Sequence, residues 1–249
     1  MIGTALALTK PVMYKGIYIA ASGAILKDAE LSLTARNIAN ASTPGYKKER
    51  TSFSSFLLPS TENISNPERV MVEKGKVVTD FSAGDFIKTG NPLDVAIEGD
   101  GFFVLEGERY TRRGDFRLDE EGYLLNIDGL KVMGVDDTPI QLPQGRVEIG
   151  PGGDILVNDT TVGRLKIVDF PQPYNLIQAG EATYLAPADL KPVESSSRVS
   201  PGVIEGSNVN IIKEMVGMIK TTREFETYQK MIQAFDSATS KALNEIGRI

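Results

Sequence analysis

The segment Tyr14–Lys48, YKGIYIAASGAILKDAELSLTARNIANASTPGYKK, decides the fold, because a long regular pattern runs through it and then stops. From Tyr14 onward, apolar or small residues recur at alternating intervals of three and four, and Asp28 is the lone exception. This spacing predicts an amphipathic helix with a narrow apolar stripe over residues 13–40. The stripe contains Ile17, Ala21, Ala24, Leu31, Ala35 and Ile38 in addition to Tyr14. Such a helix would be roughly 40 Å long.

The last part of this segment, NIANASTPGYKK, is polar and does not lead directly into another regular element. Pro44 biases Thr43 away from helical backbone angles, and Gly45 frees the backbone that follows. Asn40 is a residue that can cap the end of a helix. The pattern therefore predicts that the helix ends near Asn40.

Residues 41–80 are predicted to be an extended arm and connector, because their apolar side chains find no partner within the same segment. We expect this arm, together with the helix end, to pack on a neighbouring subunit. The predicted contact residues are Asn40, Pro44, Gly45, Tyr46, Phe53 and Phe56.

A second long helix is predicted over residues 207–249, which contain no proline. Ser207 or Asn208, directly after Gly206, is a good N-cap. The apolar stripe again follows three-four spacing and contains Ile211, Met215, Met218, Phe225, Ile232, Leu243 and Ile246. Two interpretations that do not exclude each other remain: the helices pack into a domain core, or the two chain ends form a coiled coil.

The residues between the helices have a different character, with short apolar runs separated by glycine-rich turns such as EGDG and NIDG. This alternation of apolar runs and turns predicts an antiparallel, barrel-like β domain over residues 81–187. Residues 188–206 are then a connector to the second helix. The predicted fold class is α+β, with long N- and C-terminal helices forming a coiled-coil-like pair and with an inserted antiparallel, barrel-like β domain.

The composition excludes several classes of function. The 249 residues contain neither Cys nor His, which excludes disulfides, thiolate nucleophiles, His-based triads and nearly all zinc sites. Residues 51–207 carry most of the negative charge, and no clustered basic face suits a nucleic acid. No segment has the roughly 18 apolar residues of a membrane span. We expect no catalytic site, cofactor or metal, no cleavable secretory signal, and an N-terminal extension over residues 1–12 before Met13.

Three motifs in a fixed order resemble the flagellar rod and hook proteins, the axial family of the bacterial basal body. The first is the helix ending in NIAN, followed by STPGYK. The second is DVAIEGDGFF, Asp94–Phe103, within the β domain. The third is EGSNV, Glu205–Val209, together with REFE, Arg223–Glu226. The resemblance covers nearly all of the chain from Met13. Within the family, the single β domain and the sequences STPGY, NPLDVAIEGDGFF and VGRLKIVDF are most similar to the proximal-rod subunit adjoining the distal rod.

The resemblance implies a structural subunit that polymerises through its terminal helices and transmits torque toward the hook. It implies export by the flagellar type III apparatus and a place in the basal body across the periplasm. The implied partners are other rod subunits and further copies of the chain, and the apolar stripes and arm residues named above are the expected assembly interface. Two alternatives remain: a distal-rod subunit, and, in a different class, a secreted β-domain binding module with dimerising helices.

Overall fold

The structure is a computed structural model, and it describes residues 3–51, 54–57, 70–73, 76–195 and 197–246. These residues divide into two compact units. The helical unit contains the chain up to Ile38, the segment Glu49–Thr79 and the chain from Ile211 onward. The β unit contains Ala39–Lys48 and Asp80–Asn210. The chain thus passes from one unit to the other four times.

The helical unit contains two long helices, α1 (Gly3–Ala39) and α2 (Ile211–Ile246). Helix α1 begins ten residues before the predicted start at residue 13, and Pro11 lies inside it. Proline has no backbone N–H, so this turn of α1 lacks one helical hydrogen bond. Helix α2 begins at Ile211, which leaves Ser207 and the residue after it, both predicted as N-caps, outside the helix.

Within residues 41–80, predicted to be an extended arm and connector, the described residues of Glu49–Thr79 contain two pairs of strands, and we call this part of the chain the arm. Its strands are β1 (Glu49–Thr51), β2 (Ser54–Leu57), β3 (Val70–Glu73) and β4 (Val77–Thr79). Strand β1 pairs antiparallel with β4, and β2 pairs antiparallel with β3. The described strands of the arm therefore pair with each other.

The remaining strands belong to the β unit. They are β5 (Phe86–Lys88), β6 (Val95–Glu98), β7 (Phe102–Leu105), β8 (Arg109–Thr111), β9 (Arg117–Leu118), β10 (Leu124–Leu125), β11 (Val147–Ile149), β12 (Asp154–Val157), β13 (Thr160–Arg164), β14 (Ile167–Asp169), β15 (Ile177–Gln178), β16 (Thr183–Leu185), β17 (Val193–Glu194), β18 (Arg198–Pro201) and β19 (Val203–Glu205).

The sheets of the β unit are antiparallel, as predicted, but they do not close into a barrel. The largest sheet has six strands in the order β15-β16-β8-β7-β14-β17, so among the described residues it ends in two edges. A three-stranded sheet contains β11, β12 and β13. The predicted connector 188–206 contains strands β17, β18 and β19, which pair with β14, β6 and β5. Their partners lie far away in sequence, which is why local patterns did not reveal them.

Strand β7 explains how the β unit builds two hydrophobic clusters. Side chains alternate between the two faces of a strand. Phe103 and Leu105 lie in one cluster, whereas Phe102 and Val104 lie in another, which is rich in aromatic rings. All four side chains are buried. The continuous apolar run FFVL thus marks a strand that is covered on both faces.

Candidate assembly interface

The segment Asn40–Lys48 forms a turn in the β unit. The backbone N–H of Thr43 donates to the Asn40 carbonyl oxygen, with a distance of 3.1 Å. Gly45 has a positive φ of 66°. A methyl group on Gly45 would also lie only 2.5 Å from the backbone nitrogen of Arg113. Both the left-handed backbone and the close approach therefore require glycine at this position.

Near the end of this turn, Lys47 joins Arg112 and Glu205 in a buried ionic cluster that we call the latch. Lys47 Nζ lies 2.6 Å from Glu205 Oε1, and Arg112 Nε lies 2.9 Å from Glu205 Oε2. Lys47 Nζ also donates to the Ser82 carbonyl oxygen at 2.7 Å. Arg112 donates to two further backbone carbonyl oxygens, at 2.8 and 2.7 Å. The latch thus ties three segments distant in sequence to one another inside the β unit.

The latch contains two cations and one carboxylate, and its side chains are at most 5% exposed. Burial lowers the pKa of the Lys47 ammonium, because a charged group loses its hydration there, while Glu205 acts in the opposite direction. Buried charges are retained only when they are paired and hydrogen-bonded. Glu205 is therefore the residue that allows both cations to be buried.

The side chain of Asn208 connects Lys48 and Asp80, the two residues of the β unit that flank the arm. Its Oδ1 accepts a hydrogen bond from the Lys48 backbone N–H at 2.7 Å. Its Nδ2 donates to the Asp80 carbonyl oxygen, also at 2.7 Å. The Asp80 N–H in turn donates to the Lys48 carbonyl oxygen at 2.8 Å. The carboxamide of Asn208 thus takes the place of a backbone peptide group beside these two residues.

These contacts show where the structure places four residues that were predicted to contact a neighbouring subunit, and whether they make such a contact stays a prediction. Gly45 and Tyr46 are buried in their own β unit, because the turn and the latch hold them there. Asn40 and Pro44 are half-buried. Lys47, Arg112 and Glu205 were not predicted as site residues. The sequence signal is weak, because Lys47 and Arg112 each stand beside a second cation, Lys48 or Arg113, in a segment that looks like a solvated turn.

In the helical unit, Asn37 makes a comparable contact with the arm. Its Nδ2 donates to the Glu49 carbonyl oxygen at 2.9 Å, and its Oδ1 accepts from the Glu49 N–H at 3.0 Å. The Glu49 carboxylate lies 2.9 Å from Arg36 Nη2. The last turn of α1 therefore binds the first residue of β1 through a side-chain amide that imitates a strand partner.

The two long helices contact each other in an antiparallel arrangement with one constant register. Contacts join Gly16 to Phe235, Gly23 to Tyr228, Lys27 to Glu224 and Asn37 to Glu214. Each step forward along α1 is matched by an equal step back along α2. A methyl group on Gly16 or Gly23 would lie 2.7 or 2.5 Å from the facing aromatic ring. These rings pack where the facing helix has no side chain.

Lys27 supplies the ionic contact of this helix pair. Its Nζ lies 2.7 Å from the Glu224 carboxylate and 2.9 Å from that of Glu30. Burial by itself lowers the pKa of Lys27, but the hydrogen bonds to Glu224 and Glu30 outweigh it, so that the pKa is raised. The charged form of the lysine is therefore favoured within the pair.

The contact stripe on α1 lies one residue before the predicted one. Ile17, Ala21, Ala24, Leu31 and Ile38 are half-buried beside the contact line, and Ala35 is exposed. The prediction counted apolar side chains, whereas the contact uses Gly16, Gly23, Lys27 and Asn37, which such a count omits.

The stripe predicted on α2 divides in the same way. Met218, Phe225 and Ile232 are half-buried, whereas Ile211 and Met215 are exposed. The backbone of Leu243 and Ile246 lies in α2, and the backbone of Phe56 lies in β2. Phe53 lies outside the described residues. Whether these residues contact other subunits stays a prediction.

A cleft of about 540 Å³ in the β unit offers little support for a ligand site. It is lined by Arg164, Lys166, Arg198 and neighbouring residues. Arg164 is already paired with Asp154, and Lys166 with Asp137. The described residues contain no acidic group of three or more that could hold a metal ion. Nor does any helix within the described ranges have the length and apolar character to cross a membrane.

Comparison with protein families gives three matches along the chain. Residues 17–47 match the family model described as flagella basal body rod protein. Residues 96–157 match the D1 domain of flagellar hook protein FlgE/F/G. Residues 200–245 match the C-terminal region of flagellar basal body rod FlgEFG protein. The matches therefore include both helices and the centre of the β unit.

The chain is also similar to curated proteins over most of its length. It is 32% identical over 251 residues to flagellar basal-body rod protein FlgF of Escherichia coli (strain K12), with 92% of this chain and 97% of that protein covered. It is 30% identical over 243 residues to FlgF of Rhizobium meliloti (strain 1021), with 94% and 99% covered. It is 30% identical over 258 residues to flagellar basal-body rod protein FlgG of Agrobacterium fabrum, with 91% and 97% covered.

Proposed function

The chain belongs to the family of flagellar basal-body rod proteins, and from that premise we propose that it is the proximal-rod subunit adjoining the distal rod. It polymerises with other rod subunits and with copies of itself through its terminal helices. It is a structural protein and not an enzyme, in agreement with the relatives' description as rod proteins.

The observation that carries the proposal is the apolar surface that the long helices leave uncovered. Several large apolar side chains on α1 and α2 are exposed although the two helices already contact each other; they are Tyr18, Ile19, Ile25, Ile211, Ile212, Met215, Val216, Ile219 and Met231. Clustered exposed apolar residues mark surfaces that other molecules cover. A rod supplies neighbouring subunits on every side of such helices.

Torque transmission follows from the same surfaces. Heterologous contacts that do not close produce a helical filament, in which each subunit presents two different complementary patches. Close-packed helices have low compressibility and transmit strain. The subunit reaches the rod through the flagellar type III export apparatus. The wording of STPGY and of NPLDVAIEGDGFF supports the proximal position over the distal one.

Electron microscopy of basal bodies from a bacterium lacking this chain tests the position. We expect basal bodies without distal rod or hook, and restored swimming when the chain is supplied again. A deletion strain with a proximal rod of normal length would instead assign the chain to the distal rod. Unchanged motility and normal basal bodies would contradict the rod function altogether.

A pair of matched variants tests the role of the helices. Ile219→Glu places a charge on the exposed face of α2, so the subunit should fold normally but fail to restore swimming. Ile127→Glu makes the same change at a similarly exposed position of the β unit and should restore it. Equal motility of the two variants would show that the helix surface is not an assembly interface.

A further inference from the structure

Helix α2 carries an exposed apolar face on the side away from α1. Ile212, Val216 and Ile219 follow each other at intervals of four and three residues, which places them on one face of a helix. Their side chains are 76%, 63% and 57% exposed, respectively. The residues that contact α1, from Glu214 to Phe235, occupy the opposite side. We call these three residues and the exposed Arg223 the α2 face.

Helix α1 carries a second exposed apolar face of matching length. Tyr18 and Ile25 are 72% and 66% exposed and lie seven residues apart, which is two turns of helix. Ile212 and Ile219 are also seven residues apart. Asp28 is exposed and follows Ile25 by three residues, on the same side of α1. We call Tyr18, Ile25 and Asp28 the α1 face.

The charges at the ends of the two faces are opposite. Asp28 follows the apolar residues of the α1 face, and Arg223 follows those of the α2 face, one turn after Ile219. Both side chains are exposed, and neither has an ion pair with any side chain that the structure describes. The two faces thus share one order along their helices: two apolar positions seven residues apart, then a single charge.

Resting on the proposed rod function, we propose that the α1 face of one copy packs in parallel on the α2 face of a second copy. Ile25 then lies against Ile219 and Tyr18 against Ile212, and Asp28 pairs with Arg223. An antiparallel arrangement could match the apolar residues but would carry Arg223 past Tyr18, away from Asp28. The parallel register is therefore the one that satisfies both the apolar surfaces and the charges.

The second copy is the occupant because the complementary faces belong to the same chain. Each copy offers its α1 face to one neighbour and its α2 face to another, so the contact repeats without closing. The faces lie on opposite helices and point away from the intramolecular contact, so one chain cannot join its own two faces.

Engineered cysteines give a clean test, because the full chain contains no native cysteine. Ile25→Cys and Ile219→Cys chains should form a covalent dimer when they are polymerised together and oxidised, and the double variant should form a ladder of longer products. Neither single variant should cross-link alone. A disulfide needs Cα atoms within about 7 Å, so it reports direct contact.

Ile212→Cys is the matched control for the register. In the parallel arrangement Ile25→Cys cross-links to Ile219→Cys, whereas an antiparallel arrangement joins it to Ile212→Cys. Cross-linking to Ile212→Cys alone, or dimers of Ile25→Cys with itself, would overturn the proposal. Cross-links found only in isolated basal bodies, to a different protein, would show that the occupant is another rod subunit and would also overturn it.

Charge reversal provides an independent readout. Asp28→Arg and Arg223→Asp should each raise the concentration needed for polymerisation by roughly tenfold or more, because like charges then meet. The double variant should polymerise nearly as well as the wild type. Asp189→Arg and Lys191→Asp, which reverse exposed charges in the β unit, should have no such effect.

The outcomes separate this pairing from the rod function itself. A wild-type chain that enters rods, but whose single charge variants polymerise normally or whose double variant is not restored, would refute the pairing alone. A wild-type chain that never enters a rod would refute the proposed function on which the pairing rests.

Discussion

Glu205 holds the segment from Gly45 to Lys47 in place within the β unit. Its carboxylate neutralises Lys47 and Arg112, and its backbone oxygen accepts a hydrogen bond from the Gly45 N–H at 2.7 Å. Glu205→Ala leaves two buried cations without their carboxylate. We therefore expect the free energy of unfolding to fall by about 3–5 kcal/mol. Urea unfolding followed by near-ultraviolet circular dichroism measures this loss.

Glu148→Ala is the matched control for this prediction. Glu148 also pairs with an arginine, at 2.9 Å, but both side chains are largely exposed. Its removal should change the free energy of unfolding by at most about 1 kcal/mol. Similar effects of the two substitutions would show that the latch contributes no more than a surface ion pair.

Tyr174 makes the stability of the β unit depend on pH in alkaline solution. Burial, together with a hydrogen bond of 2.8 Å from its hydroxyl to Asp169, raises the pKa of Tyr174 from 10.0 to about 12. The folded chain therefore holds this proton more tightly than the unfolded chain does. The resulting stabilisation is complete below pH 10 and is lost as the pH rises toward about 12.

Tyr174→Phe should remove this part of the pH dependence. Urea unfolding at several pH values between 9 and about 12 should show a smaller decline for the variant than for the wild type. The ultraviolet absorbance of tyrosinate should also lose its component of highest pKa. A titration in which the wild type and the variant decline equally would contradict the assignment.

At the scale of elements, the contact between α1 and α2 depends on Gly16 and Gly23, although glycine normally destabilises a helix. Replacing a glycine inside a helix by alanine normally stabilises it by roughly 1 kcal/mol. Gly217→Ala should do so, because a methyl group there meets no atom within 4 Å. Gly23→Ala should instead lower the melting temperature of the helices, because its methyl group would lie 2.5 Å from the Tyr228 ring.

Circular dichroism at 222 nm during heating of each full-length variant measures this difference. The comparison is well controlled, since both changes are glycine to alanine inside a long helix of the same unit. If Gly23→Ala stabilised the helices as much as Gly217→Ala, the close contact between α1 and α2 would not exist in solution.

The same contact shows what sequence reasoning could and could not provide for an element. The alternation of three and four residues predicted both long helices, because that spacing follows from helix geometry. It misplaced the contact line by one residue on α1, because Gly16 and Gly23 contribute space and not apolar surface. Strand β7 could be predicted more easily, because its run FFVL is buried on both faces. A prediction of this strand does not depend on which face is assigned to the core.

For the whole molecule, the two units differ in how they are held together. The β unit has two buried clusters and the latch, whereas the helices bury only one side of their surface. Regions with few buried apolar contacts open at the lowest free energy. We therefore expect trypsin to cut the helices of the free subunit quickly while the β unit survives.

Polymerisation should reverse this sensitivity, because in the proposed assembly neighbouring subunits cover the exposed helix faces. Limited proteolysis of free and polymerised chain, followed by mass spectrometry of the fragments, measures it. Equal cleavage of the helices in both states would contradict their place at the subunit contacts. Rapid loss of the β unit would contradict the assigned order of stability.

The overall plan of helix, β domain and helix could be predicted because composition changes sharply along the chain. The details of the β unit could not, since they depend on pairs that lie far apart in sequence. Lys47, Arg112 and Glu205 come together only after the chain has folded. Strands β18 and β19 contribute to sheets whose other strands lie about a hundred residues earlier, and no local pattern records such partners.

The two asparagine amides that imitate backbone also bear on chemical ageing. In Asn37 and Asn208 the side-chain amide nitrogen donates to a backbone carbonyl oxygen. Deamidation would replace this donor with a carboxylate oxygen, and the two oxygens would repel each other. Each asparagine is followed by a β-branched residue, Ile38 or Val209, which hinders closure of the succinimide ring through which asparagine decays. The two contacts that these amides make beside the arm are thus protected against slow deamidation.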